Sequence, residues 1–125
     1  MDKQPTRVLV IDDDADVRET TKWLLEAEGF VVSVAANGRE GLSLQRREPA
    51  HIVLTDIFMP EQDGIETLWQ LRQEFPRVPI IVMSGREADY SVVMRELGVK
   101  NTLRKPFDPH ELIAIVRQIT RSALS

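Results

Sequence analysis

The chain contains no cysteine among its 125 residues. Disulfides, thiolate nucleophiles and cysteine-based zinc sites are therefore excluded. Histidine is almost as scarce. His51 and His110 are the whole supply, too few for a histidine-rich metal centre, and both read as surface or turn residues. No apolar run approaches the ~18 residues that a membrane-spanning helix needs. The opening Met1-Asp2-Lys3-Gln4-Pro5 has no apolar stretch and does not read as a signal peptide. Positive charge is not in excess either. Sixteen basic residues face 20 acidic ones, a net charge of −4, which argues against binding along a nucleic-acid backbone. Aromatic residues are only 6% of the chain. Trp23 and Trp69, at helical spacing, read as core or half-buried packing rather than as a ligand platform. The expectation is one cytoplasmic domain spanning 1–125, with residues 1–5 and 121–125 fraying.

Short apolar runs alternate with longer amphipathic stretches. Arg7-Val8-Leu9-Val10-Ile11 is rich in β-branched residues and reads as a strand buried on both faces, as in a parallel sheet. Further strands are expected over 30–35, 51–55, 79–83 and, more weakly marked, 102–104. Helical spacing of Val17, Thr21, Leu24, Leu25 and Glu28 precedes Gly29, a plausible stop. Asn37-Gly38-Arg39-Glu40 looks like a capping box opening a helix to about Arg47. Asp63-Gly64-Ile65-Glu66 looks like another, and Pro76 and Pro79 bracket the end of its helix. A fourth helix is expected from near Ala88 to Leu97, closed by Gly98. Asp108-Pro109-His110-Glu111 combines an N-cap, proline at N1 and an early acid. Five strands alternating with five helices predict an α/β doubly wound three-layer sandwich. Its parallel strands are expected in the flavodoxin-like order 2-1-3-4-5.

In such a sheet, ligands bind at the carboxyl ends of the strands, where the strand order reverses. The first strand runs into Asp12-Asp13-Asp14 and the third into Asp56. The fourth leads to Ser84-Gly85 and the fifth to Lys105-Pro106. Asp14 reads as the cap of the following helix; Asp12, Asp13 and Asp56 would share one patch. Two unit charges about 5 Å apart repel by roughly 3 kcal/mol at an effective dielectric of about 20. A cation among them would relieve this. The donors are few and all oxygen, so Mg²⁺ fits best, Mn²⁺ is acceptable and Ca²⁺ can be accommodated. A carboxylate beside such an ion can attack a phosphoryl group, with a lysine neutralising the phosphoryl oxygens.

With these pieces in place the sequence resembles the receiver domain of two-component response regulators over essentially its whole length. The resemblance rests on Val8-Leu9-Val10-Ile11-Asp12-Asp13, Asp56-Ile57-Phe58-Met59-Pro60 with Asp63-Gly64, Ile81-Val82-Met83-Ser84-Gly85 and Lys105-Pro106-Phe107. It implies that Asp56 is the phosphoacceptor. Asp12, Asp13, Asp56 and the backbone carbonyl of Phe58 would hold Mg²⁺. Ser84 would be the switch hydroxyl, Lys105 the phosphate contact, and the peptide before Pro106 a cis candidate. It also implies a phosphohistidine donor on a sensor histidine kinase or phosphotransfer protein. A downstream effector would read the face formed by the fourth helix, fifth strand and fifth helix. The domain would catalyse only its own phosphorylation and slow dephosphorylation. A phosphorylation-linked dimer is left open; membrane and nucleic-acid contacts are not implied.

Two features depart from the family's habit. Thr102 stands three residues before the lysine, where a tyrosine or phenylalanine is usual, and has no ring to bury. Phe58 and Arg86 occupy the positions that tune phosphate loss, and both are bulky, which predicts a long-lived phospho-state. Two rival readings follow from the same residues. One is a phosphorylation-independent adaptor on this fold. The other is a haloacid-dehalogenase-like phosphatase with Asp12 as nucleophile, which would need a further acidic pair where only Asp108 and Glu111 occur.

Overall fold

The structure is a computed structural model and describes residues 4–57, 64–85 and 91–124, without the side chains of Ser91, Val93, Ala123 and Leu124. In chain order the elements are β1 (Arg7–Ile11), α1 (Ala15–Ala27), β2 (Val31–Ala35), α2 (Gly38–Arg47) and β3 (Ile52–Asp56). They continue with α3 (Gly64–Glu74), β4 (Ile80–Ser84), α4 (Ser91–Glu96), β5 (Asn101–Arg104) and α5 (Pro109–Leu124). The five strands form one parallel sheet in the order β2-β1-β3-β4-β5, as expected.

Alternation along each strand feeds two cores. Leu9, Ile11, Val53 and Val82 meet Leu42 of α2 and Leu68 and Leu71 of α3 on one face. Val8, Val10, Ile52, Leu54, Ile81, Met83 and Leu103 meet Leu25 of α1 and Leu112, Val116 and Ile119 of α5 on the other. Fully burying one such aliphatic side chain stabilises the fold by about 1.5–3 kcal/mol.

The local punctuation follows the residue types. Asp14 caps α1, its Oδ1 accepting from the N–H groups of Asp16 (2.9 Å) and Val17 (3.3 Å). Asn37 Oδ1 accepts from Glu40 N–H (2.9 Å), and Glu40 reaches back to Ala36 N–H (3.3 Å). That is a capping box displaced by one residue. Asp108 Oδ1 accepts from His110 N–H (2.8 Å). Gly29 and Gly98 close their helices at φ +94° and +74°, backbone that glycine adopts without strain.

Two expectations are corrected. Trp23 is 69% exposed and Trp69 51% exposed, so neither packs in the core. α1 buries Thr21 and Leu25, and α3 buries Thr67, Leu68 and Leu71. Trp23 lies two positions from both Thr21 and Leu25, and Trp69 two positions from both Thr67 and Leu71, about 200° round the helix from each. The last helix extends to Leu124, with Ile119 buried in the second core. The start of the third helix at Asp63 and of the fourth at Ala88 lie outside the described residues.

Candidate functional site

The site is assembled where β1 and β3 run side by side and the connections leave in opposite directions. The ladder extends one residue past each strand. Asp12 N–H donates to Ala35 O (3.1 Å), Ile57 N–H to Met83 O (3.2 Å) and Lys105 N–H to Ser84 O (3.0 Å). These bonds hold the acidic and basic side chains at the same sheet edge. Asp12, Asp13 and Asp56 each offer a carboxylate oxygen, and these three oxygens all lie within 4.8 Å of one another. Asp12 is 0% exposed and Asp56 5%, while Asp13 faces solvent.

Lys105 crosses to the same cluster. Its Nζ lies 2.6 Å from Asp12 Oδ2 and 3.0 Å from Asp56 Oδ2. Asp12 Oδ1 accepts from Asp14 N–H (2.9 Å), and Arg18 Nη1 donates to the Asp12 carbonyl (2.8 Å). Burial pushes the Asp12 carboxyl above its usual range, against the lowering effects of Lys105 and the Asp14 N–H; the nearby Asp56 charge adds to the rise. Burial alone would lower the Lys105 ammonium, but Asp12 and Asp56 together outweigh it and hold the lysine above its usual range.

The other candidates are placed as follows. Ser84 ends β4, partly buried, in register with Arg104 beside Lys105. Thr102 is exposed on β5, the sheet's edge strand, opposite Val82. The Lys105–Pro106 peptide is cis. Phe58 and Arg86 lie outside the described residues. Arg18 was not visible as a site residue in the sequence: its role depends on one turn of α1 folding back over Asp12, which no local motif announces.

Comparison with known proteins decides the family. A family model described as the response regulator receiver domain matches residues 8–117. The chain belongs to the receiver domain family. It is 40% identical over 121 residues to the CpxR homolog of Haemophilus influenzae, a transcriptional regulatory protein, covering 96% of this chain and 52% of that one. It is 37% identical over 118 residues to response regulator MprA of Mycolicibacterium vanbaalenii, covering 94% and 51%. Among solved structures, a CheY-like receiver domain protein from Methanospirillum hungatei matches with a TM-score of 0.92 at 29% identity, over 96% of this chain and 97% of that one. The receiver spans about half the length of these two named regulators. Receivers are signalling domains rather than conventional enzymes, and they bind Mg²⁺ at an acidic site.

The residues of this receiver fit such an ion. The donor set is all oxygen, as a hard divalent ion requires. The fully buried Asp12 Oδ2 has the Lys105 ammonium at 2.6 Å as its one partner, so an acceptor oxygen there keeps lone-pair capacity for a cation. A buried carboxylate oxygen in that condition is stabilised by a bound cation. No helix among the described residues is long and apolar enough to cross a membrane.

Proposed function

We propose that this receiver is a cytoplasmic, Mg²⁺-dependent phosphorylation switch with Asp56 as its phosphoacceptor. The observation that carries the reading is the grouping of Asp12, Asp13 and Asp56 at one sheet edge with Lys105 against two of them. Asp12, Asp13 and Asp56 would hold the ion, with the Phe58 carbonyl, and the bound ion would neutralise charge on the incoming phosphoryl oxygens. An Asp56 carboxylate oxygen attacks phosphorus, the P–N bond of a phosphohistidine breaks, and the imidazole leaves with that electron pair. Lys105 already lies within reach of Asp56 and would follow the charge to a phosphoryl oxygen. Ser84, two strands from β1 on the same edge, would donate its hydroxyl to another.

The new group adds nearly two negative charges and three strong acceptors. Ser84 and Lys105 are then drawn inward, which biases α4, β5 and the adjoining backbone toward a second arrangement. The donor is a sensor histidine kinase or phosphotransfer protein. The reader of the α4-β5-α5 face is an effector domain or partner. The phosphatase reading with Asp12 as nucleophile is set aside by family membership, and by a fully buried Asp12 whose Oδ1 is engaged by the Asp14 N–H.

The test is to incubate the protein with a small-molecule phosphodonor, with and without Mg²⁺, and read intact mass. A gain of one phosphoryl group is expected with Mg²⁺ and none in Asp56→Ala. A gain that survives in Asp56→Ala, or none in the parent protein, would overturn the reading. Partner binding that is the same in Asp56→Ala would favour the phosphorylation-independent adaptor instead.

A further inference from the structure

β2 is one edge of the sheet and pairs only with β1. Two bonds fix which of its main-chain groups face outward. Val31 N–H donates to Thr6 O (3.0 Å), and Ala35 O accepts from Asp12 N–H (3.1 Å). In a strand the N–H and C=O of one residue point to the same side, and that side alternates along the chain. Val31, Ser33 and Ala35 therefore turn to β1, and Val32 and Val34 turn to the open edge. The next N–H groups in the outward series are already engaged, Phe30 N–H on Leu25 O (3.2 Å) and Ala36 N–H on Glu40 Oε1 (3.3 Å). The open donors are thus those of Val32 and Val34, and among the described residues nothing meets them.

This edge carries no charge from Phe30 to Asn37, in a chain of which 29% of residues are charged. Val31 is 44% exposed, and Val32, Ser33 and Val34 are half-buried. The other edge, β5, is built differently: Lys100 precedes it and Arg104 ends it, both exposed. Edge charges of that kind oppose pairing with a further strand, whereas an uncharged, β-branched edge invites it. The segment Val31-Val32-Ser33-Val34-Ala35 also reads nearly alike in both directions. Turned about a two-fold axis through Ser33, it sets Val32 opposite the second copy's Val34, and Val34 opposite the second copy's Val32. Each such pair exchanges both N–H···O bonds, so the open groups of both copies are satisfied. An axis through Val32 or Val34 would need the N–H of Phe30 or Ala36, and both are taken.

We propose that β2 is a self-association edge: two copies of this chain pair antiparallel through Val32 and Val34, about an axis at Ser33, joining their sheets into one. A two-fold contact of this kind closes on itself and stops at a dimer, since the remaining edge of each copy is the charged one. The two strands run in opposite directions, so the acidic clusters lie at opposite ends of the joined sheet and the α4-β5-α5 faces at its far margins. The pairing therefore rests on nothing assumed about Asp56, and it leaves that site and its reader unobstructed. Two five-residue strands make a contact at the small end of the interface range, so the association is weak.

The test uses the whole chain. Sedimentation equilibrium from about 10 µM to about 1 mM should show the mass rising from one chain toward two. Ser33→Lys and Ser33→Glu each set like charges against one another at the axis, about 4.5 Å apart between Cα atoms, and each should remain monomeric. Their equimolar mixture should dimerise at least as well as the parent. Since the chain has no cysteine, single thiols report the register, and they serve if the charged variants do not fold. A Ser33→Cys pair lies within disulfide reach; a Val31→Cys pair is offset by about 14 Å along the strands and lies beyond it. Under mild oxidation Ser33→Cys should cross-link at least tenfold faster than Val31→Cys or Thr102→Cys, the last marking the exposed β5 edge. A parent that stays monomeric across the whole range would overturn the proposal. So would an equally strong dimer in folded Ser33→Lys, or cross-linking of Val31→Cys or Thr102→Cys as fast as that of Ser33→Cys.

Discussion

Lys105 stands closer to Asp12 than to the proposed phosphoacceptor: its Nζ is 2.6 Å from Asp12 Oδ2 and 3.0 Å from Asp56 Oδ2. One ammonium therefore balances two buried carboxylates. Replacing it with a neutral side chain removes the ammonium that both carboxylates share. Lys105→Gln should lose about 3 kcal/mol of unfolding free energy in metal-free buffer near neutral pH. Urea denaturation measures this, and adding Mg²⁺ should narrow the difference. The lysine's ammonium is held above its usual 10.5. The stability it brings is therefore complete below that value and fades as pH rises through the folded-state value. The deficit of the variant should shrink at the alkaline end.

Asp12 runs in the same direction with pH, but from the acid end of the scale. Its carboxyl is raised above the usual 3.8 by burial, so the folded state holds this proton more tightly than the unfolded chain. Its contribution is greatest below 3.8 and is lost as pH rises through the folded-state value. Removing the charge should stabilise the metal-free protein at neutral pH. Asp12→Asn is expected to raise Tm by a few degrees, corresponding to roughly 1 kcal/mol. The same change should abolish the gain from metal, which for the parent is about 1.4 kcal/mol at a Mg²⁺ concentration ten times Kd. Differential scanning calorimetry with and without Mg²⁺ reads both effects; a Tm that falls in the metal-free variant would contradict the electrostatic account.

Gly64 is where α3 begins, and a Cβ placed there would overlap the carbonyl group of Ile57, the residue after Asp56. The obstacle is backbone, which cannot turn aside as a side chain can. Gly64→Ala should cost about 3 kcal/mol and should also weaken Mg²⁺ binding, because relief requires moving the chain beside Asp56. Gly29→Ala is the control: nothing lies within 4 Å of a Cβ there, so its cost is the backbone's alone and metal affinity should not change.

The bulky pair Phe58 and Arg86 offers no small polar group to orient a water for attack on an aspartyl phosphate. Label loss from the purified phosphoprotein should therefore take many minutes rather than seconds. Substituting both with small polar residues should accelerate it, and decay of the parent within seconds would refute the expectation.

Much of this could be read in advance because the local signals and the tertiary contacts agree. The β-branched runs, the caps at Asp14, Asn37 and Asp108, and the stops at Gly29 and Gly98 are each set by neighbours within four residues. The acidic cluster was legible because parallel strands deliver their carboxyl ends to one edge. What escaped depends on distant partners. Trp23 and Trp69 have the spacing of a packed face, but spacing alone does not say which face turns inward. Gln45 shares the buried stripe of α2 with Gly38, Gly41 and Leu42. It is tolerated there because its amide exchanges two hydrogen bonds with the main chain of Ala50, Oε1 accepting at 2.9 Å and Nε2 donating at 3.2 Å. Its spacing of three residues from Leu42 and four from Gly41 was the available signal.

The close meeting of Gly64 with the Ile57 carbonyl has one more effect. It holds Ile57 and Gly64, the described residues on either side of 58–63, against each other, with Ile57 also pinned to β4 through Met83 O (3.2 Å). When a neck is fixed by the scaffold, the entropy of closing what hangs from it grows only slowly, by about 0.6 kcal/mol for each doubling of length. Evolution or an engineer could therefore lengthen, shorten or exchange that excursion, and so retune the chemistry beside Asp56, while leaving the architecture that carries it intact.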